Sequence, residues 1–164
     1  MSIRVKKNYL IYKNKEFPCA IGKNGFALNK KEGDGCTPIG TFHIENILYR
    51  YDKISNVQCL IKTDVIKKND GWCDEVSHFN YNQMIKFPFK DSAEKLYRED
   101  DLYNIVCILN YNRNPIIPGA GSAIFLHIAK EDFSPTEGCV ALKEKDLLFI
   151  LNHINNNEEI VIKP

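Results

Sequence analysis

The sequence predicts a single, mainly β domain of sandwich or barrel type with one or two helices packed on it. Three observations predict this. Short apolar or alternating runs of strand length recur along the chain between clusters of Gly, Pro, Asn and Asp. Clear helix spacing is confined to 143–154. The 164 residues suit one domain with a real core, so 1–164 is read as one unit.

The elements follow in order. Ile3 and Val5 alternate with charge, Leu10-Ile11-Tyr12 comes next, and then Cys19-Ala20-Ile21 and Phe26-Ala27-Leu28. Glu32-Gly33-Asp34-Gly35 is turn-rich, and Asp34 is expected to bond its own backbone there. Pro38 biases Thr37 toward an extended backbone, so a strand should resume across Thr37–Phe42. Val57–Thr63 is a further strand. Residues 64–102 are long, polar and seeded with aromatics, which marks a functional loop or cap, with one short helix expected near Ser92–Arg98. Tyr103–Leu109 and Ser122–Ile128 are apolar runs of buried-strand length, separated by turn chemistry at Pro115, Pro118, Gly119 and Gly121. Leu147, Leu148, Ile150, Leu151 and Ile154 share helix spacing within Lys143–Ile154, and Ile160–Ile162 is the last strand.

Composition excludes several classes. The 22 basic and 21 acidic side chains leave a net charge of +1, which gives no long-range pull toward nucleic acid. No run approaches the length of a membrane span, and the first residues lack the apolar stretch of a signal peptide. The expectation is a cytoplasmic protein, or a periplasmic one if a leader has been trimmed. The 6 cysteines form no Cys-x-x-Cys pair, so reduced thiols are expected and neither a metal nor an organic cofactor. His43, His78 and His153 show no metal spacing with one another. Oligomeric state is not legible.

Chemistry gathers in two pieces. Phe125-Leu126-His127-Ile128 embeds a histidine in an apolar run, and Thr136-Glu137-Gly138-Cys139-Val140 follows after a loop stiffened by Pro135. A nucleophilic cysteine needs a base or cation to favour thiolate, room for substrate and donors aimed at the developing oxyanion. Gly138 removes a side chain beside the sulfur and frees backbone N–H groups. His127 reaches Cys139 if the intervening loop folds back, and a carbonyl such as that of Ile128 would fix its tautomer. On spacing alone, a core histidine and an unremarkable Gly-Cys pair explain the same residues.

These residues resemble the L,D-transpeptidase (YkuD-type) family, in which a strand-end histidine precedes a Ser/Thr-x-Gly-Cys signature. Thr136-Glu137-Gly138-Cys139-Val140 is similar to that signature. Far upstream, Glu32-Gly33-Asp34-Gly35-Cys36-Thr37-Pro38-Ile39-Gly40-Thr41-Phe42 resembles a second segment common in the family, in the same order. Asp70-Gly71-Trp72-Cys73-Asp74 and Gly119–His127 look like a compact subgroup without added domains. The resemblance runs from about Ala20 to the last strand and implies the L,D-transpeptidase fold.

The resemblance also implies a reaction. Cys139 aligns with the nucleophile, His127 with its base, and the backbone around Gly138 and Cys139 with the oxyanion-binding region. The implied partner is a peptidoglycan stem peptide or muropeptide. The alternatives are a carboxypeptidase that uses water as acceptor and a silent binding module.

The chain departs from the family beside the cysteine, with Glu137 where many members carry His and Ala141 where many carry Arg or Asn. Glu137 is expected to hold an amine acceptor, orient His127 or face solvent. Arg98 or Arg113 would have to replace the missing basic contact to substrate. Thr136, Glu137, Trp72, Tyr81 and Arg98 are the candidate substrate contacts, with the core as the competing place for Trp72 and Tyr81.

Overall fold

A computed structural model describes residues 2–164. Its strands are β1 (Ser2–Val5), β2 (Tyr9–Tyr12), β3 (Lys15–Ala20), β4 (Phe26–Ala27), β5 (Thr37–Pro38), β6 (Gly40–Phe42), β7 (Ile44–Tyr49) and β8 (Thr63–Val65). They continue as β9 (Asp70–Cys73), β10 (Met84–Lys86), β11 (Ala93–Lys95), β12 (Ile105–Leu109), β13 (Phe125–Ile128) and β14 (Val140–Leu142), then helix α1 (Glu144–Leu151) and β15 (Glu159–Ile162). Ten strands form one sheet in the order β6-β15-β1-β2-β3-β14-β13-β12-β7-β8. A three-stranded sheet, β10-β9-β11, and a β4-β5 pair complete the domain.

The period-two alternation explains how the large sheet closes over its core. Ile3 and Val5 of β1, Leu10 and Tyr12 of β2, Cys107 of β12, Leu126 of β13 and Ile160 of β15 all reach one cluster, so strands from opposite ends of the sheet face each other across it. Helix α1 adds Leu147, Ile150 and Leu151, the apolar stripe that its spacing foretells. Its first turn carries Glu144 and Asp146, which the helix dipole favours. The helix is shorter than 143–154, yet Ile154 still packs in the core beyond its end.

Strands β12 and β13 are buried at every residue, which is why they read as unbroken apolar runs. Their second face carries Val106, Ile108 and Phe125, and these pack in a separate cluster with Trp72, Leu96 and Tyr103. The cap that the sequence suggests over 64–102 therefore begins after β8, whose Asp64 and Val65 pair with β7 in the large sheet, and its frame is the β10-β9-β11 sheet.

The helix expected near Ser92–Arg98 is a strand instead. Ala93, Glu94 and Lys95 pair with Cys73, Trp72 and Gly71, and ladder bonds to β9 outweigh a local helical preference too short to stand alone. Two expected strands shorten. Val57–Thr63 contributes only its end to β8, although Val57 and Ile61 still point into the core from irregular backbone. In Ser122–Ile128 the strand begins at Phe125, after Ala123 takes a φ of 53°. No helix among the described residues is long and apolar enough to cross a membrane.

Candidate active site

Strands β13 and β14 are parallel neighbours, with Leu126 opposite Val140 and His127 opposite Ala141. Leu126, Ile128, Val140 and Leu142 turn into the main core. Alternation sends Phe125, His127, Cys139 and Ala141 to the other face, under the cap. His127 and Cys139 thus line one cavity of about 380 Å³. The gap between the two motifs is bridged by strand pairing.

The imidazole Nδ1 lies 2.9 Å from the Ile128 carbonyl oxygen. A carbonyl only accepts, so Nδ1 carries the proton and Nε2 keeps its lone pair. Tyr103 packs its ring edge-on against His127 at 5.2 Å. The Cys139 thiol donates to the Ala123 carbonyl at 3.1 Å and accepts the Phe125 N–H at 3.4 Å. His127 shares the cavity wall with the sulfur but is not among its hydrogen-bond partners.

Burial sets the resting charge state. It pushes the Cys139 thiol up to about 12, reinforced by the Glu94 carboxylate and opposed by the Phe125 N–H and the Lys30 charge. It lowers His127 to about 4, against the favourable pull of the Ile128 carbonyl. The resting pair is therefore a neutral thiol and a neutral imidazole. The low-dielectric cleft penalises both ions.

The loop before Cys139 is fixed from several sides. Thr136 Oγ1 donates to the Cys139 carbonyl at 2.6 Å and accepts the Gly138 N–H at 3.1 Å. The Thr136 N–H donates to the Ile21 carbonyl at 2.9 Å. Gly138 has a φ of 147°, and a Cβ there would lie 2.8 Å from the Cys36 carbonyl oxygen. The upstream Gly-Asp-Gly segment thus forms the wall behind the cysteine. Asp34 holds that wall by accepting the Lys31 and Cys36 N–H groups at 2.7 and 2.9 Å and the Lys30 ammonium at 2.7 Å. Gly138→Ala is expected to cost about 1–3 kcal/mol in denaturant unfolding, because it combines a disfavoured backbone conformation with a backbone clash. Unchanged stability would mean that the loop relaxes freely.

The other expected contacts divide. Thr136, Glu137 and Arg98 line the cavity. Glu137 is 78% exposed and pairs with Lys23 at 2.9 Å, which matches the solvent-facing alternative rather than a bond to His127. Arg98 gives its guanidinium to Asp100 at 2.8 and 2.6 Å. Arg113 lies outside the cavity lining and bonds Glu45 and the Asn82 carbonyl.

Trp72 and Tyr81 are corrected as cleft contacts. Trp72 is 2% exposed, stacks edge-on against Phe125 and donates its indole N–H to Asn82 at 3.0 Å. Tyr81, equally buried, donates to Glu32 and accepts the Gly121 N–H at 3.0 Å. Their polar tips are satisfied inside the cap, and nothing remains for a ligand.

Sequence reasoning missed Lys30, Asp74, Glu94, Tyr103 and Ser122, all on the cavity wall. Lys30 is 8% exposed despite standing in the run Asn29-Lys30-Lys31; the Asp34 carboxylate four residues on was the one available signal. Among the described residues no three His, Cys, Asp or Glu side chains are placed to hold a metal ion.

The model of the L,D-transpeptidase catalytic domain family (YkuD) matches residues 3–162. The fold is similar to a Bdellovibrio bacteriovorus structure, Bd1075, at 17% identity and a TM-score of 0.50, over 99% of this chain and 47% of that one. It also aligns with Mycobacterium tuberculosis L,D-transpeptidase 1 at 10% identity and a TM-score of 0.46, over 99% of this chain and 60% of the other. At 17% identity the likeness to Bd1075 is one of fold. The chain spans about half the length of the structures it matches. No curated protein matches it by sequence.

Proposed function

The chain belongs to the L,D-transpeptidase catalytic-domain family, and on that premise we propose that it performs cysteine-dependent acyl transfer on peptidoglycan stem tetrapeptides. The observation that carries the reading is the shared cavity. A thiol and an imidazole face it from adjacent parallel strands, and the Ile128 carbonyl leaves Nε2 as the free base.

In this reading the thiol turns from the Ala123 carbonyl toward Nε2 as substrate enters. The proton moves to His127 while Sγ attacks the carbonyl joining the third stem residue to the terminal D-alanine. Because neither group is charged at rest, proton transfer and attack are coupled, and His127 acts as a general base. Backbone N–H groups near Gly138 and Cys139 receive the oxyanion. The imidazolium then protonates the departing D-alanine nitrogen, which leaves a thioester on Cys139. That thioester passes to an amine, giving a cross-link, or to water, giving a tripeptide.

Incubation with a carbapenem, or with tetrapeptide muropeptides, is expected to give a covalent adduct on Cys139, read by intact mass and peptide mapping. Absence of any adduct on that sulfur, in protein that remains folded, would end the reading.

A further inference from the structure

Three of the carboxylates that line the cavity, Glu32, Asp74 and Glu94, make no salt bridge among the described residues, and two of them share a face. Glu94 on β11 stands opposite Trp72 of β9, and Asp74 lies two residues beyond Trp72, so alternation puts both acids on one face. The Asp74 N–H donates to the Ser92 carbonyl at 3.2 Å, which holds the two segments together past the end of β9. Both acids line the cavity that contains Cys139.

Neither acid makes a salt bridge among the described residues. Glu94 accepts a hydrogen bond from the Tyr103 hydroxyl at 2.9 Å. The Arg98 charge reaches Glu94 only through space, because its guanidinium fork is closed on Asp100. Glu32, a third acid on the wall, is held by Tyr81. Burial pushes Glu94 up, and the Asp74 charge adds to it. Asp74 Oδ1 is enclosed without a hydrogen-bond partner. An independent observation comes from the same cavity: Ser122 is 9% exposed, lines it, and its hydroxyl oxygen also lacks a hydrogen-bond partner among the described residues.

Enclosed like charges and an orphaned hydroxyl are unfavourable until something cationic with several donors arrives. A primary ammonium group fits, as a compact charge with three N–H donors for three acceptors. We propose that Asp74, Glu94 and Ser122 form a subsite for the primary ammonium group of the acyl acceptor, so that the thioester is resolved by an amine in preference to water.

The assignment rests on the acyl-transfer reading and deepens it. The held ammonium gives one proton to a subsite carboxylate, and its nitrogen attacks the thioester carbon. A C–N bond forms and the C–S bond breaks. The attacking nitrogen passes its second proton through His127 to the departing sulfur, which restores the thiol. The subsite carboxylate releases its proton to solvent.

Two measurements test it. Binding of 1,5-diaminopentane, followed by ligand-detected NMR, is expected for the wild-type protein. It should be at least tenfold weaker in Asp74→Asn/Glu94→Gln and undetectable for the diacetylated diamine. No binding to wild type, or equal binding to the double variant, overturns the subsite whatever the protein acylates.

Turnover of a tetrapeptide muropeptide with the diamine as acceptor then assigns the amine. The ratio of amide product to hydrolysed tripeptide, which is set after the thioester has formed and so does not depend on the acylation rate, should fall at least tenfold in the double variant and in each single variant. An unchanged ratio with slower acylation would place the ammonium on the donor and overturn the acceptor assignment. A wild-type protein that binds the diamine but forms no thioester would instead refute the acyl-transfer reading.

Discussion

Cys139→Ala is expected to lose turnover by about 10⁵-fold, to the limit of detection, because the remaining residues bind substrate but offer no atom to carry the acyl group. The fold should survive. The substitution removes one sulfur and its bonds to the Ala123 carbonyl and the Phe125 N–H, at a cost of about 1–2 kcal/mol. Val140 and Leu142, which anchor the strand in the main core, are untouched. Cys139→Ser separates chemistry from packing: the hydroxyl can keep both hydrogen bonds, so stability should stay close to wild type while turnover still collapses. Circular dichroism and denaturant unfolding read the first property, and product mass the second. A folded Cys139→Ala protein that still trims or links muropeptides would place the nucleophile elsewhere.

The parts of this architecture that were legible in the sequence are those in which one face or both faces of an element meet hydrocarbon. Strands β12 and β13 are buried on both sides and read as apolar runs, and α1 shows its stripe directly. The cap strands β10 and β11 span only three residues each, too few to display alternation. They exist because β9 supplies hydrogen-bond partners, which is information held elsewhere in the chain. Trp72 and Tyr81 were ambiguous for a similar reason. An aromatic residue in a polar segment suits a cleft or a core, and what decides is where the polar tip finds its partner. Asn82 and Glu32 are those partners here. The Cys139–His127 arrangement was legible as two motifs, whereas their proximity is a consequence of parallel pairing between β13 and β14. Asp74 and Glu94 carried no motif at all, and the pairing of β9 with β11 brings them to one face.

His127→Ala is expected to slow acylation by about 10³-fold at neutral pH, within the range for loss of a positioned base. The argument starts from the thiol. With its pKa pushed up to about 12, only about one molecule in 10⁵ carries a thiolate at pH 7, so unaided attack is scarce. In wild type, acylation should stay flat from neutrality down to the region where the imidazole, lowered to about 4, takes up a proton and ceases to be a base. In the variant the rate should instead climb about tenfold per pH unit between 7 and 10, tracking the thiolate fraction.

Folding stability gives an independent check on the same imidazole. Its folded pKa is depressed below the ordinary value of 6.5, so between about 4 and 6.5 the unfolded chain binds more protons than the native one. The contribution is present above 6.5 and is lost as pH falls toward 4, by about 3 kcal/mol across the window. His127→Ala should lose that acid sensitivity, seen as a smaller gap between urea midpoints at pH 4.5 and 7.5. A wild-type acid limb near 6.5, or a variant whose rate does not rise with pH, would mean that the imidazole is not the neutral, buried base on which the mechanism turns. The two measurements are independent because one follows protons through the acylation step and the other follows them through unfolding, and both must report the same depressed imidazole.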